Sequence, residues 1–82
     1  MNKQQLIEII AEENEITKDM ATRTLNTMIR SIMTSVKNGE PVVLVGFGTF
    51  RHTGEKLELK PRSVPKFVPG TLFKQIVDEQ NS

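Results

Sequence analysis

The fold is decided at residues 44–50, where the chain reads Leu44-Val45-Gly46-Phe47-Gly48-Thr49-Phe50. Apolar and β-branched residues precede the first glycine and a Thr-Phe pair follows the second, which is typical of two short strands joined by a turn. The two glycines permit the tight backbone geometry that such a turn requires. The first two strands of a sheet are therefore predicted on either side of this Gly-Phe-Gly sequence.

The residues that follow predict one more strand and a last helix. Thr53-Gly54 is the next turn signal, and Lys56–Lys60 alternates strictly between charged and apolar residues, as a strand with one apolar face does. Pro61 cannot donate to a strand ladder and marks an edge or an end. Residues 63–70 are predicted to be an extended linker into the last helix, whose apolar face consists of Leu72, Phe73, Ile76 and Val77.

Two amphipathic helices are predicted before the strands. Asn2, with Gln5 three residues on, gives the capping-box pattern ahead of the apolar stripe of the first helix. Thr17 is the predicted N-cap of the second helix, and Asn38-Gly39 ends it. The order helix, helix, three short antiparallel strands, helix predicts an α+β fold in a single domain of residues 1–82.

Composition restricts what can hold so small a chain together. The chain has 82 residues, no cysteine and one histidine, so disulfides, thiolate metal sites and a histidine zinc site are not expected, and neither is a cofactor. A chain of this size buries only about 60–65% of its unfolded surface as a monomer. A partner subunit is the remaining way to enlarge the core, so an oligomer is expected.

Charge is unevenly distributed although the net charge is only +1. Residues 51–74 carry six basic side chains against two acidic ones. Such an excess suits a polyanion, but it also suits a solvated strand surface whose cations protect its edge, and charge alone favours the solvated surface. No apolar run approaches the ~20 residues that cross a bilayer, and the N-terminus has no signal-peptide pattern, so a cytoplasmic protein is expected.

No catalytic set stands out, and the chain is not expected to be an enzyme. The Gly-Phe-Gly sequence lacks the third glycine and the following helix of a dinucleotide-binding loop. His52 lies beside the predicted Thr53-Gly54 turn and is interpreted as an exposed neighbour of that turn rather than a base. Aromatic residues among cations could stack on single-stranded nucleic acid, but core positions are preferred for all four: Phe47, Phe50, Phe67 and Phe73.

Two motifs in this order resemble one known family. They are residues 44–50 and Val64-Pro65-Lys66-Phe67 with Pro69-Gly70, and they follow Met1-Asn2-Lys3 and a short helical corner. Over nearly the whole chain, the sequence resembles the bacterial histone-like HU/IHF proteins. The resemblance implies an intertwined dimer with a helical dimerisation base (1–39), a sheet with a stub arm (40–69) and a C-terminal helix (70–82). The dimer core that it implies includes Leu44, Phe47, Phe50, Phe67, Ile29 and Ile32.

The sequence departs from the pattern of the family in the region of the arm. In its members the hairpin between the second and third strands extends into a long basic arm, and a proline near the tip wedges between base steps in the minor groove. This chain lacks the basic stretch and its Arg-Asn-Pro tip. A tight hairpin at His52 to Glu55 is predicted instead, with Pro61 and Pro65 on the saddle side, so strong DNA bending is not expected.

The resemblance implies double-stranded DNA as the partner and a set of basic residues that contact its phosphates. Lys3, Lys18 and Lys74 match basic positions of the family. The strands nearest the stub add Arg51, Lys56, Lys60 and Arg62, for which phosphate contact and a solvated sheet face are equally open interpretations.

The predicted function is sequence-nonspecific DNA binding by a homodimeric histone-like protein of the bacterial nucleoid, in the cytoplasm, with weakened binding and bending. Two alternatives remain open. The chain could be an armless subunit that forms heterodimers with a full-length HU/IHF-type protein and modulates it. It could also be an interaction module that acts without DNA, which the near-neutral net charge favours modestly.

Overall fold

Six elements follow one another in the predicted order. A computed structural model describes residues 1–53 and 64–81. Its elements are α1 (Lys3–Asn14), α2 (Lys18–Lys37), β1 (Val42–Leu44), β2 (Gly48–His52), β3 (Pro65–Pro69) and α3 (Thr71–Asn81). This is the predicted α+β class. The chain forms two compact units, residues 1–31 and 32–82, with α2 running from one into the other.

The first unit is a corner of two capped helices. The Asn2 side chain accepts a hydrogen bond from the backbone N–H of Gln5, and the Gln5 side chain accepts one from the backbone N–H of Asn2, each at 2.9 Å. This is the predicted capping box, and it satisfies donors that have no partner within the helix. The Thr17 hydroxyl likewise accepts from the Met20 N–H at 3.1 Å, which confirms the second predicted N-cap.

The link between the helices depends on Glu15, whose backbone is left-handed with φ 53°. The Glu15 N–H donates to the Glu12 carbonyl and the Ile16 N–H to the Ala11 carbonyl, which is the Schellman arrangement. The turn also brings Ile16 against the small core of this unit. That core consists of Ile7, Ala11, Ala21 and Leu25, with Ile10 and Ile16 packed against it.

The second unit is built on an antiparallel sheet in the order β1-β2-β3. Val42 of β1 lies opposite Phe50 of β2, and Phe50 in turn lies opposite Phe67 of β3. Before the sheet, α2 ends as predicted at Gly39, whose φ is 84°, and the Glu40 N–H donates to the Ser35 carbonyl at 2.9 Å. A glycine fits this position because left-handed backbone costs it little.

The turn between β1 and β2 fixes the start of α3. The Phe47 N–H donates to the Leu44 carbonyl at 2.9 Å and closes the turn, with Gly46 at φ 87° in its third position. The Gly46 carbonyl accepts from the Phe73 N–H at 3.1 Å, and the Phe47 carbonyl accepts from the Gly70 N–H at 2.8 Å. The two sequence motifs therefore meet backbone to backbone, and the turn satisfies a first-turn N–H of α3.

The prediction that residues 63–70 form an extended linker is wrong, because Pro65–Pro69 is the strand β3. The prolines at its two ends suggested a linker. They are tolerated because β3 pairs only with β2, at the edge of the described sheet, where a missing N–H breaks no second ladder. The strand predicted at Lys56–Lys60 lies outside the described residues.

The tight hairpin predicted at His52 to Glu55 is also wrong, because His52 pairs with Pro65. Two hydrogen bonds join Thr53 and Val64 and continue this pairing by one residue. The connection between the paired strands therefore consists of residues 54–63, which the structure does not describe and which include Pro61. Pro65 lies in the sheet, opposite His52.

The interpretation of His52 as an exposed neighbour of a turn is also wrong, because its side chain is only 7% exposed. The strand β2 continues through position 52, where a turn had been predicted. Residues two apart on a strand share a face, so His52 lies on the same face of the sheet as Phe50.

Candidate nucleic-acid interface

The two faces of the sheet differ in chemistry. Side chains alternate along a strand, and the register therefore assigns every described sheet residue to one of two faces. One face carries Phe50 and Phe67. The other, the outer sheet face, carries Arg51 and Lys66 together with Val43, Thr49 and Val68. The sheet is therefore aromatic on one side, and the other side carries two cations that are exposed to solvent.

Arg51 and Lys66 lie directly opposite each other on β2 and β3, and both are exposed. Like charges at opposed positions destabilise a strand pair. Within residues 1–53 and 64–81, neither side chain forms an ion pair. The fold thus maintains a local repulsion at this position, and a bound anion would remove it.

The other predicted contact residues are exposed but are not all free cations. Lys3 is the first residue of α1, whose first turn holds no acidic residue, and Lys74 lies in the second turn of α3. Lys18, at the start of α2, forms an ion pair with Glu8 at 4.0 Å. Lys56, Lys60 and Arg62 lie outside the described residues.

The structure brings together Arg51, which was predicted, and Lys66, which was not. Lys66 was missed because its segment was taken for a linker. The signal was present in Phe67-Val68, since aromatic and β-branched residues favour a strand. A strand there, antiparallel to β2, would have placed a lysine near Arg51.

The opposite face of the sheet leads into a cluster of all four phenylalanine rings, here called the aromatic cluster. Phe47 contacts the rings of Phe67 at 5.1 Å and Phe73 at 5.4 Å between centroids, and Phe50 contacts Phe67 at 4.8 Å. Phe47 lies in the turn rather than in a strand, which allows its ring to reach the same side as Phe50.

The aromatic cluster is open in the single chain. Phe47 is 44% exposed, and Phe50, Phe67 and Phe73 are only partly buried. Phe47 is therefore not a core residue of the single chain, and its place in a dimer core stays a prediction. Of the other predicted dimer-core residues, Leu44 and Ile32 are partly buried, and Ile29 is exposed.

Neither a membrane-spanning helix nor a metal centre is found among the described residues. None of the helices there has the length and apolarity needed to cross a membrane. No group of three His, Asp or Glu side chains in residues 1–53 and 64–81 is arranged to hold a metal ion.

The chain has a capped helical corner, a three-stranded antiparallel sheet and a helix that is hydrogen-bonded to the β1–β2 turn. These elements define a distinct class of small α+β proteins. The family profile described as bacterial DNA-binding protein matches residues 1–52. HU-alpha of Escherichia coli is 38% identical and HU 1 of Bacillus subtilis 35% identical, each over 89 residues that cover 94% of this chain and 99% and 97% of those proteins.

Solved structures show the same likeness. HU from Thermotoga maritima superposes with a TM-score of 0.78 at 34% identity, covering 94% of this chain and 98% of its own. HU from Anabaena, solved in a cocrystal with DNA, has a TM-score of 0.81 at 35% identity, covering 94% and 97%. The chain belongs to the HU/IHF family of bacterial DNA-binding proteins. The expectation that it is not an enzyme is confirmed by this membership, because the family is not catalytic.

The alignments also bear on length. Those with the E. coli and B. subtilis proteins run over 89 positions, which is more than the 82 residues of this chain. Both relatives therefore have residues without a counterpart here.

Proposed function

We propose that the protein binds double-stranded DNA without sequence preference, as a homodimer, by neutralising phosphates at the outer sheet face. The observation that carries this proposal is the opposed pair Arg51 and Lys66, two exposed cations without an ion-pair partner among the described residues. Phosphate contacts position a protein on a duplex without reading its sequence. The Anabaena relative, which shares the fold and was crystallised with DNA, supports the choice of this polyanion.

Binding is expected to be weaker than in relatives with long arms. Residues 54–63 make up the connection between the paired strands, and this stretch has three basic residues against two acidic ones, Glu55 and Glu58. The aligned relatives are longer than this chain. We infer about 3–5 phosphate contacts per dimer, which gives a slope of about −0.9 per contact in a plot of log K against log salt.

A salt titration with random-sequence duplex tests the proposal. The wild type is compared with the double variant Arg51→Glu/Lys66→Glu at three or more salt concentrations. The matched control is Arg23→Glu/Arg30→Glu, which changes the charge equally at exposed positions of α2. We expect the sheet variant to lose at least tenfold in affinity and to show a shallower salt slope, with the control close to wild type. A wild-type affinity that does not change with salt concentration, or an absence of binding at low salt, contradicts the proposal.

The homodimer is supported by the open aromatic cluster. The Phe47 ring, 44% exposed in one chain, costs stability in water, and burying it against a second copy recovers that stability. A chain of this length has little other core to rely on. As a DNA-binding dimer, the protein would be located on the bacterial nucleoid in the cytoplasm.

The same open cluster favours a second candidate function, in which the chain pairs with a full-length HU-type protein and lowers the affinity of that protein for DNA. Both partners would then contribute phenylalanines to one interface, but only one would supply a long arm. Co-expression with such a protein, followed by native mass spectrometry, distinguishes the candidates. Mixed dimers support the second, and exclusively separate homodimers contradict it. If neither the homodimer nor the mixed dimer bound DNA, the remaining candidate would be the interaction module that acts without DNA.

A further inference from the structure

The two cations of the outer sheet face lie between exposed valines. Val43 of β1 is opposite Thr49, two residues before Arg51 on β2, and is 64% exposed. On β3, Val64 precedes Lys66 by two residues and is 57% exposed. The hydrogen bonds that extend the β2–β3 pairing reach Val64, so the alternation of side chains places it on the side of Lys66. One valine therefore lies on each side of the cation pair along the strands.

The exposure of these valines is not explained by the sheet itself. Apolar side chains in water cost free energy, and threonine has the same branched shape and the same preference for strands. Thr49 occupies the outer sheet face beside Val43 and shows that a polar residue is accepted there. Exposed apolar residues that are grouped on one face, with charges among them, are typical of a surface that contacts a partner.

The pattern of charge and apolarity restricts the partner. Residues two apart on a strand are separated by about 7 Å, so each cation has an apolar neighbour at about that distance. Along a nucleic-acid backbone, every phosphate is likewise flanked by sugar rings, whose C–H edges are apolar. A second copy of the outer sheet face does not fit, because it would bring two further cations against Arg51 and Lys66.

We propose that Val43 and Val64 pack against the sugar rings of duplex DNA while Arg51 and Lys66 contact its phosphates. The inference rests on the proposed function and deepens it, because the site then takes a sugar-phosphate backbone in preference to a bare polyanion. The cations supply the part of the affinity that salt removes. The valines supply a part that salt does not screen, since it comes from buried apolar surface.

A salt titration separates the two parts. In a plot of log K against log salt, the slope counts the phosphates contacted, and the value extrapolated to 1 M salt contains what remains without counterion release. We expect Val43→Thr/Val64→Thr to keep the wild-type slope and to lower the extrapolated affinity by about fivefold or more. The matched control Val45→Thr changes a valine that is 97% exposed in the β1–β2 turn, further from the cations, and should stay within about twofold of wild type.

Inorganic polyphosphate gives the second comparison, because it carries phosphate charge without sugar rings. We expect the double valine variant to bind polyphosphate as wild type does, although it binds DNA more weakly. Threonine retains the β-branched shape, so the sheet should be kept, and circular dichroism checks that each variant is folded.

The outcomes distinguish this inference from the proposed function. A wild type that does not bind DNA at low salt contradicts the proposed function itself. If wild type binds DNA and the double valine variant has the same slope and the same extrapolated affinity, only the role of the valines is contradicted. Equal losses on polyphosphate and on DNA, or an equal loss in Val45→Thr, would contradict contact between these two valines and sugar rings.

Discussion

Two single residues show how the backbone limits the sequence. Glu15 occupies left-handed backbone, where a side chain is strained, and its carboxylate lies at the C-terminal end of α1, where the helix dipole disfavours it. Gly48 lies where a side chain would collide, because an added Cβ would be 2.6 Å from the Phe67 ring and from the Val68 carbonyl oxygen. Glu15 is tolerated despite its cost, whereas a side chain at position 48 would force its neighbours to shift.

Replacing Glu15 by glycine is expected to stabilise the protein by about 0.5–1 kcal/mol, because the strain is relieved and the Schellman hydrogen bonds are kept. Chemical denaturation measures the change. The control Glu13→Gly removes the same charge from the helical part of α1 and should destabilise by about 1 kcal/mol. Loss of stability in both variants would show that the left-handed strain at Glu15 is negligible.

The variant Gly48→Ala is expected to lose about 3 kcal/mol or more, since the new methyl group meets backbone as well as a packed ring. Gly46→Ala is the comparison. Its Cβ would meet only the Leu72 side chain, at 3.3 Å, which is flexible and can shift, so most of its cost of about 1–2 kcal/mol comes from φ. Equilibrium unfolding of both variants should rank Gly48→Ala as the more damaging, and the reverse order would contradict the close packing at Phe67.

At the scale of elements, the β2–β3 pair has opposed cations that weaken its ladder. Under the proposed function, the same two cations supply charge for binding DNA. We expect Lys66→Glu to stabilise the fold by about 0.5 kcal/mol at low salt, with the gain vanishing at 1 M salt, where exposed charges are screened. The same variant should bind DNA more weakly.

The control Lys66→Gln removes the repulsion without adding an attraction, and we expect it to fall between wild type and Lys66→Glu in both properties. Thermal unfolding at two salt concentrations, run beside the duplex titration, measures the two effects. If Lys66→Glu bound DNA as tightly as wild type, the outer sheet face would not be the binding surface.

At the scale of the whole molecule, sequence predicted those features that depend on neighbours along the chain. The Asn2 and Thr17 caps, the end of α2 at Gly39 and the β1–β2 turn each need only a few adjacent residues. Predicting the strand β3 required its position at the sheet edge, where prolines are permitted at the ends of a strand. The same non-local pairing decided the burial of His52 and the position of Lys66 opposite Arg51.

The assembly itself gives the last prediction. If two copies share the aromatic cluster, then unfolding separates them, and dilution favours the unfolded chains. The apparent melting temperature should therefore rise with protein concentration, by about 4 °C for each tenfold increase for a dimer of this size.

Differential scanning fluorimetry or calorimetry from micromolar to near-millimolar protein measures this dependence, and a variant of the aromatic cluster tests its cause. Phe47→Ala should melt lower than wild type in dilute samples, and the difference should narrow in concentrated samples, because mass action restores the dimer. A change that only weakened the fold of each chain would lower the melting temperature equally in dilute and in concentrated samples. A melting temperature independent of concentration, in a sample with the mass of one chain, would mean that a single subunit tolerates its exposed phenylalanine ring in water.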